Sequence, residues 1–234
     1  MRDLMMRNPV ANRSAAALAR AMAGGLVAAG LAAGPAAAHP HVWVSVETTV
    51  VYDAGKLAGF QHRWTFDDMY TAMAVQGLDK NQDGVYSKEE LAELAQVNMD
   101  GLKEFDFFTY ARIKETPVKL APPKDYWLEH KDGVLSLHFT LPLAEPVPAE
   151  TEGFEFAVYD QTFFIAFDLA KDNPVRLSQG APTGCAAKVG NSEKELADLQ
   201  KLNDAFGGQL TAGNANQGMG LGYAATISLS CAKT

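Results

Sequence analysis

The sequence is poor in the residues on which covalent and zinc-dependent catalysis commonly depend. It holds only two cysteines and five histidines in 234 residues. It contains no G-x-S-x-G, no H-E-x-x-H, no G-x-x-x-x-G-K-[ST] and no C-x-x-C. These absences exclude the usual nucleophile elbow, the zinc-protease helix, the phosphate-binding loop and the dithiol redox motif. We therefore expect a protein that is not an enzyme.

Positive charge is in deficit as well. Lys and Arg number 20 against 28 Asp and Glu, which gives a formal net charge of −8. An acidic chain of this kind is a poor partner for nucleic acid and for anionic membrane surfaces, because both repel it. The charge favours cations as ligands.

The first 38 residues have the pattern of a secretory signal peptide. Four arginines and one aspartate within residues 1–20 precede the uncharged Ala/Gly/Leu run at 21–34 and the small residues Ala36-Ala37-Ala38. The run is too short for a membrane span of about 20 residues, so we expect cleavage after Ala38 rather than a retained anchor or a disordered tail. Cleavage leaves 39–234 as a single periplasmic domain with a net charge of −11 and no integral membrane segment.

The two cysteines predict a disulfide. In an exported protein an even number of cysteines is typical of structural bridges. Cys185 and Cys231 would close a loop of 46 residues. A reactive thiol is the alternative.

A calcium-binding motif stands out in what the sequence does contain. Residues 79–90 fit the twelve-residue loop D-x-[DN]-x-[DN]-G-x5-E without a gap. Calcium takes about six to eight oxygen ligands, and a tightly turning loop brings alternate residues onto one ion. The predicted ligands are the side chains of Asp79, Asn81, Asp83 and Glu90, the carbonyl of Val85, and Ser87 through a water. An acidic surface turn is the alternative.

The residues around this loop resemble an EF-hand over about 67–102. Gly84 stands where the chain must bend with a positive φ. Ser87 and Glu90 form an S-x-x-E capping box, which predicts a helix that starts inside the loop. The apolar positions expected to be buried are Met69, Tyr70 and Met73 before the loop and Leu91, Leu94, Ala95 and Leu102 after it. A lone loop of this type predicts a structural or modest-affinity site.

Alternating apolar and polar residues predict β-strands on both sides of this unit. The predicted strands are 42–50, 57–66, 113–120, 126–131, 134–141, 154–160, 163–169 and 223–231, with a helix at 192–205 and loops at Pro142–Pro148 and 207–222. Asp132-Gly133 predicts a two-residue hairpin turn. We therefore expect an α+β fold: a mainly antiparallel β domain with an inserted helix–calcium loop–helix unit.

The histidines offer one further metal site. The hairpin register places His130 and His138 on opposite faces, so they should not share a metal, and His62 lies on an aromatic face typical of a hydrogen-bonded core histidine. After cleavage, His39 would offer an α-amine and an imidazole, with His41 beside it. Nitrogen ligands suit nickel, zinc or copper. A frayed terminus with two solvated histidines is the equal alternative.

Several of these segments together resemble a known family. They are His39-Pro40-His41-Val42-Trp43-Val44, Trp64-Thr65-Phe66-Asp67-Asp68, the calcium-type loop, and Tyr159-Asp160 before Phe163-Phe164. This set resembles domain-of-unknown-function family 1007, exported bacterial proteins labelled as the periplasmic component of an uncharacterised ABC-type transport system. The resemblance implies a link with nickel, cobalt or zinc transport and an inner-membrane transporter as partner. Asp160 itself is interpreted as a turn residue, with a catalytic or ligand role as the alternative.

Three functions follow as hypotheses. The first is a periplasmic, calcium-stabilised accessory or binding protein of divalent transition-metal transport. The second is a calcium-binding structural or interaction module without a transport role. The third is a copper enzyme built on an amino-terminal histidine brace, which would need a further histidine beside His39.

Overall fold

The computed structural model of this chain describes residues 40–162, 164–190 and 224–232. The predicted signal peptide at 1–38, the helix at 192–205 and the loop at 207–222 lie outside those ranges. The described part is an α+β fold, mostly β, with two sheets and two α-helices. Neither of these helices is long and apolar enough to cross a membrane.

The first sheet contains six strands. They are β1 (Val42–Asp53), β2 (Lys56–Phe66), β5 (Lys124–Lys131), β6 (Val134–Pro148), β8 (Ile165–Leu169) and β9 (Val175–Leu177). Their order is β5-β6-β2-β1-β8, with β9 also paired to β1. Both β8 and β9 run parallel to β1, so this sheet is mixed, whereas a mainly antiparallel domain was expected. The chain enters β8 from the other sheet and not through a hairpin, so no local turn signal specifies its direction.

The second sheet contains five antiparallel strands. They are β3 (Thr109–Ile113), β4 (Thr116–Val118), β7 (Phe154–Val158), β10 (Cys185–Val189) and β11 (Ile227–Cys231), in the order β10-β11-β7-β3-β4. The strand predicted at 113–120 is wrong in its bounds. The chain turns at Lys114, whose φ is +54° and whose N–H bonds to the Gly153 carbonyl at 2.8 Å.

The core has two apolar clusters: one, with Val46 and Trp64, packs α2 and the residues after it against the first sheet, and the other, with Val50 and Phe60, lies between the two sheets. Along β1 and β2 the predicted inward residues are buried, among them Val46, Val50, Phe60 and Trp64. The Phe60 ring lies 4.5 Å from that of Phe156 in the second sheet. Period-two burial of large apolar side chains on both strands explains why these segments form strands and which face packs inward.

The predicted loop at Pro142–Pro148 is instead the second half of β6. Proline removes a ladder donor, so it is tolerated in strands mainly at irregularities. The pairing of β6 with β2 shifts register between Leu57 and Gly59, and Gly59 lies opposite Pro142. A Cβ on Gly59 would lie 2.5 Å from the Leu141 carbonyl oxygen, so the close approach requires glycine.

The two helices flank the predicted calcium loop. Helix α1 (Asp68–Ala74) begins after Asp67, whose carboxylate accepts hydrogen bonds from the N–H groups of Tyr70 and Trp43, each at 2.8 Å. Helix α2 is Ala92–Leu102. The prediction for the buried side of α1 is wrong for both methionines. Met69 and Met73 are 75% and 62% exposed, because the helix is short and turns Thr71 toward the core instead.

The predicted disulfide is confirmed: Cys185 and Cys231 are joined. They are directly opposite each other on β10 and β11. For 46 residues of separation the chain-entropy model gives a stabilisation of about 4 kcal/mol.

Candidate metal centre

The backbone of residues 79–90 contains two residues with positive φ. Gly84 has a φ of +79°, as predicted, and Gln82 also lies in the left-handed region at +61°. Glycine adopts this conformation without the strain that a side chain brings. The two positive-φ residues reverse the chain within the first half of the loop.

The first three predicted ligands direct their side chains into this reversal. Asp79 accepts N–H bonds from Asp83 at 3.2 Å and from Gly84 at 3.0 Å, one on each carboxylate oxygen. The Asn81 amide oxygen accepts from the Asp83 N–H at 3.0 Å, and its amide nitrogen donates to Asp83 at 2.9 Å. Asp83 accepts from the Val85 N–H at 2.7 Å. The structure thus brings Asp79, Asn81 and Asp83 together.

Glu90 joins the two ends of the loop. One of its oxygens accepts the Lys80 N–H at 2.8 Å, and the other accepts the Ser87 N–H at 2.9 Å and the Ser87 hydroxyl at 2.8 Å. The Ser87 hydroxyl accepts the Glu90 N–H in return at 3.3 Å, so the two reciprocal bonds of the motif are present. The expected helix start inside the loop is wrong, however, because α2 begins at Ala92, after Glu90. The bonds to the Glu90 carboxylate, those from Ser87 first, lower the pKa of Glu90 to about 2. Glu90 is therefore ionised throughout the physiological range.

The donor chemistry of this loop fits calcium. The predicted ligands are all oxygens, which a hard cation prefers. A carboxylate oxygen has two lone pairs, so Asp79 can keep its N–H bonds and still face an ion. Within the described ranges, no three His, Cys, Asp or Glu side chains converge in the arrangement of a metal site.

Only His41 of the two amino-terminal histidines lies within the described residues, whereas His39 lies outside them. The His41 ring stacks on Phe164 at 4.8 Å, and its N–H bonds to the Phe164 carbonyl at 2.8 Å. His41 is therefore attached to the start of β8, which fixes one half of the predicted pair.

The remaining histidines have structural partners. His62 is buried, with its ring nitrogens 2.9 Å from the Thr48 hydroxyl and 3.4 Å from that of Thr109. Burial lowers its pKa to about 3, so it is neutral. The prediction of a hydrogen-bonded core histidine is confirmed. His130 and His138 lie opposite Leu135 and Trp127, on opposite faces of the hairpin, as expected.

Asp160 is a turn residue in this fold. It is 5% exposed, and its two oxygens accept the N–H groups of Thr162, Phe164 and Ile165 at 2.8–3.0 Å together with the Thr162 hydroxyl. These donors occupy the carboxylate on both oxygens. The geometry agrees with the interpretation of Asp160 as a turn residue rather than a ligand.

Comparison with known proteins identifies the family of this chain. The family described as "Protein of unknown function (DUF1007)" matches residues 25–231. The chain belongs to this family.

Two relatives are similar over part of their length. An uncharacterized protein of Haemophilus influenzae is 27% identical over 143 residues, which cover 60% of this chain and 68% of the relative. An uncharacterized 15.5 kDa protein in the trpE 3′ region of Spirochaeta aurantia is 30% identical over 99 residues, which cover 42% of this chain and 70% of the relative. Neither name states an activity. The comparisons confirm the expected DUF1007 membership.

Motif analysis missed one feature of this DUF1007 protein, a crevice of about 930 Å³ between α2 and the second sheet. Its walls include Met99, Phe107, Tyr110, Tyr126 and Tyr159, and none of the predicted metal ligands lines it. Several elements that are distant in sequence form the crevice. No short motif could therefore have indicated it.

Strained backbone adjoins the crevice. Asp106, Phe107 and Phe108 are three consecutive residues with φ near +50°, a conformation that costs about 1–3 kcal/mol for each non-glycine residue. Phe107 and Phe108 are buried. Their burial in the core offsets the strain.

Proposed function

We propose that the chain is a non-enzymatic, calcium-stabilised protein of the periplasm, in which residues 79–90 hold one structural calcium ion. The observation that carries the proposal is the inward direction of Asp79, Asn81 and Asp83 around a turn that Glu90 closes from the other end. Asp79, Asn81, Asp83, Ser87 and Glu90, with the Val85 carbonyl, would hold the ion. When bound, the ion supplies charge neutralisation and cross-links the loop.

The loop's position explains why the ion would stabilise the fold. Leu91 and Ala95, directly after the loop, are buried in the core cluster that also contains Trp64 and Phe139. An ion that fixes the loop also fixes the start of α2 against this core. A ligand that binds only the folded state stabilises it by about 2.7 kcal/mol at 100 times its dissociation constant.

Thermal unfolding with calcium and with a chelator tests this proposal. Calcium should raise the melting temperature of the wild-type protein, and Glu90→Gln should lose most of that rise, because the amide removes the negative charge of the closing ligand and one of its two oxygens. Glu89→Gln is the matched control, since Glu89 is an exposed neighbour outside the predicted ligand set. Equal melting temperatures of the wild type in both conditions would reduce the loop to a surface turn.

A link to nickel, cobalt or zinc transport is the wider proposal, with an inner-membrane transporter as partner. It is supported by the family resemblance and by the ordered position of His41 at the start of β1. Nickel titration of protein that begins at His39 should show binding that one added residue before His39 abolishes, because that residue acylates the amine. Equal affinity of the two forms would remove this site, and with it the ligand set for transport.

A further inference from the structure

The second half of the calcium loop has two sides with different contacts. Ser87 faces the loop interior, where it bonds to Glu90. Tyr86 and Lys88, the residues on either side of Ser87, instead contact strand β5 of the hairpin. The Tyr86 ring lies 4.7 Å from that of His130, edge to face, and the Lys88 ammonium lies 4.8 Å from the centre of the Trp127 ring.

These two contacts hold opposite faces of one strand. His130 and Trp127 are three residues apart, so their side chains point to opposite sides of β5. His130 is opposite Leu135, which is fully buried, while Trp127 is opposite His138 on the outer face. Strand β5 is the edge of the first sheet. Tyr86 and Lys88 therefore contact this edge strand on both of its faces.

From Trp127 the contacts continue across the outer face of the sheet. The Trp127 and His138 rings are stacked with their centroids 4.6 Å apart, and their planes are nearly parallel, at an interplanar angle of 2°. His138 also lies 3.2 Å from the Glu129 carboxylate. The next strand places Arg63 opposite His138, and Arg63 pairs with Glu47 at 2.9 Å. The row thus reaches β1 through direct cross-strand neighbours.

We propose that Tyr86 and Lys88 couple ion binding in the loop to the position of β5 and of the Trp127–His138 stack. The proposal rests on the proposed calcium site. An ion that fixes Val85, Ser87 and Glu90 also restrains Tyr86 and Lys88, which lie between them, and with them the contacts on β5. Ion binding then strengthens the contacts that Tyr86 and Lys88 make with the edge strand.

Thermodynamic linkage makes the coupling measurable from either side. If ion binding favours the state in which Tyr86 and Lys88 contact β5, those contacts must favour ion binding by the same factor. Exposed cation–π contacts and aromatic pairs are modest interactions. Loss of either contact should therefore weaken calcium binding about three- to tenfold, although neither Trp127 nor His130 belongs to the ligand set.

Calcium calorimetry of the full exported chain and its variants tests the coupling. Trp127→Leu and Tyr86→Leu should each bind calcium about three- to tenfold more weakly than the wild type. Lys131→Ala, an exposed change on the same strand, should leave the affinity unchanged. If Trp127→Leu does not fold by circular dichroism, Lys88→Met replaces it, since it keeps the side-chain stem and removes only the charge.

The outcomes separate this inference from the calcium site itself. Wild-type binding with unchanged affinity in Trp127→Leu, Tyr86→Leu and Lys88→Met would overturn the coupling and leave the calcium site standing. No binding by the wild type would overturn both. Hydrogen exchange measures the same coupling from the side of β5. Calcium should slow the exchange of the β5 amides in the wild type, and this slowing should be lost in Lys88→Met.

Discussion

Two turns of this protein gather backbone N–H groups around carboxylates, and they differ in what surrounds them. The Asp160 carboxylate is buried, and it accepts hydrogen bonds from the residues that lead into β8. The loop at Asp79–Glu90 is largely exposed, and its carboxylates are spread over twelve residues. At Asp160 the protein itself satisfies the charge. In the loop, Asp79 keeps lone pairs that an ion can use.

The difference shows that a carboxylate held by N–H groups is not by itself a metal ligand. Both oxygens of the buried Asp160 carboxylate are occupied by donors from the protein. The N–H donors at Lys80, Asp83 and Gly84 form exposed hydrogen bonds. Water can therefore accept these hydrogen bonds when the carboxylate oxygens turn to an ion. Burial therefore separates the structural turn from the candidate binding loop.

The largest expected effect is loss of the buried carboxylate. Asp160→Asn should destabilise the protein by about 3 kcal/mol, because the buried side chain would then point an amide NH₂ group at N–H donors that a carboxylate oxygen now accepts. Urea unfolding should give the same loss with calcium and with chelator. A calcium-dependent loss would mean that Asp160 takes part in ion binding after all.

A smaller and conditional effect is expected in the loop. Asp79→Asn should change stability in chelator by no more than about 0.5 kcal/mol, because the hydrogen bonds that Asp79 accepts are exposed to solvent. With calcium at 100 times its wild-type dissociation constant, it should lose most of a gain of about 2.7 kcal/mol. The same urea experiment measures both values. A large loss in chelator would erase the distinction between the two turns.

The smallest expected effect is the loss of loop stabilisation at low pH. The folded pKa of Glu90 is lowered from 4.5 to about 2 by the bonds from Ser87 and Lys80. Loop stabilisation from ionised Glu90 is therefore complete above about pH 4.5 and is lost as the pH falls through about 2. The Lys80 and Ser87 amide signals in NMR should titrate near pH 2. A midpoint near 4.5 would show that Glu90 does not close the loop.

The sequence predicted the local features of the loop because its constraints are local. The positive φ at Gly84, the capping box and the inward side chains depend on residues at most eleven positions apart. The hairpin register around Asp132-Gly133 was predictable for the same reason. The stabilising ion stays a prediction, since it depends on affinity and not on the turn alone.

Features that depend on distant contacts could not be predicted in this way. The parallel pairing of β8 with β1 and the continuation of β6 through its prolines depend on neighbours in other parts of the chain. Met69 and Met73 had a helical apolar pattern, yet the core accepts Thr71 and Val75 instead. The crevice beside Tyr110 and the contacts of Tyr86 and Lys88 with β5 likewise appear only when the elements are assembled.

Calcium titration of the wild-type protein by calorimetry, after removal of bound ions, tests the central claim most directly. The account predicts one calcium ion per chain, with binding lost in Glu90→Gln and kept in Glu89→Gln. No binding heat in the wild type, together with an unchanged melting temperature in calcium and in chelator, would contradict it.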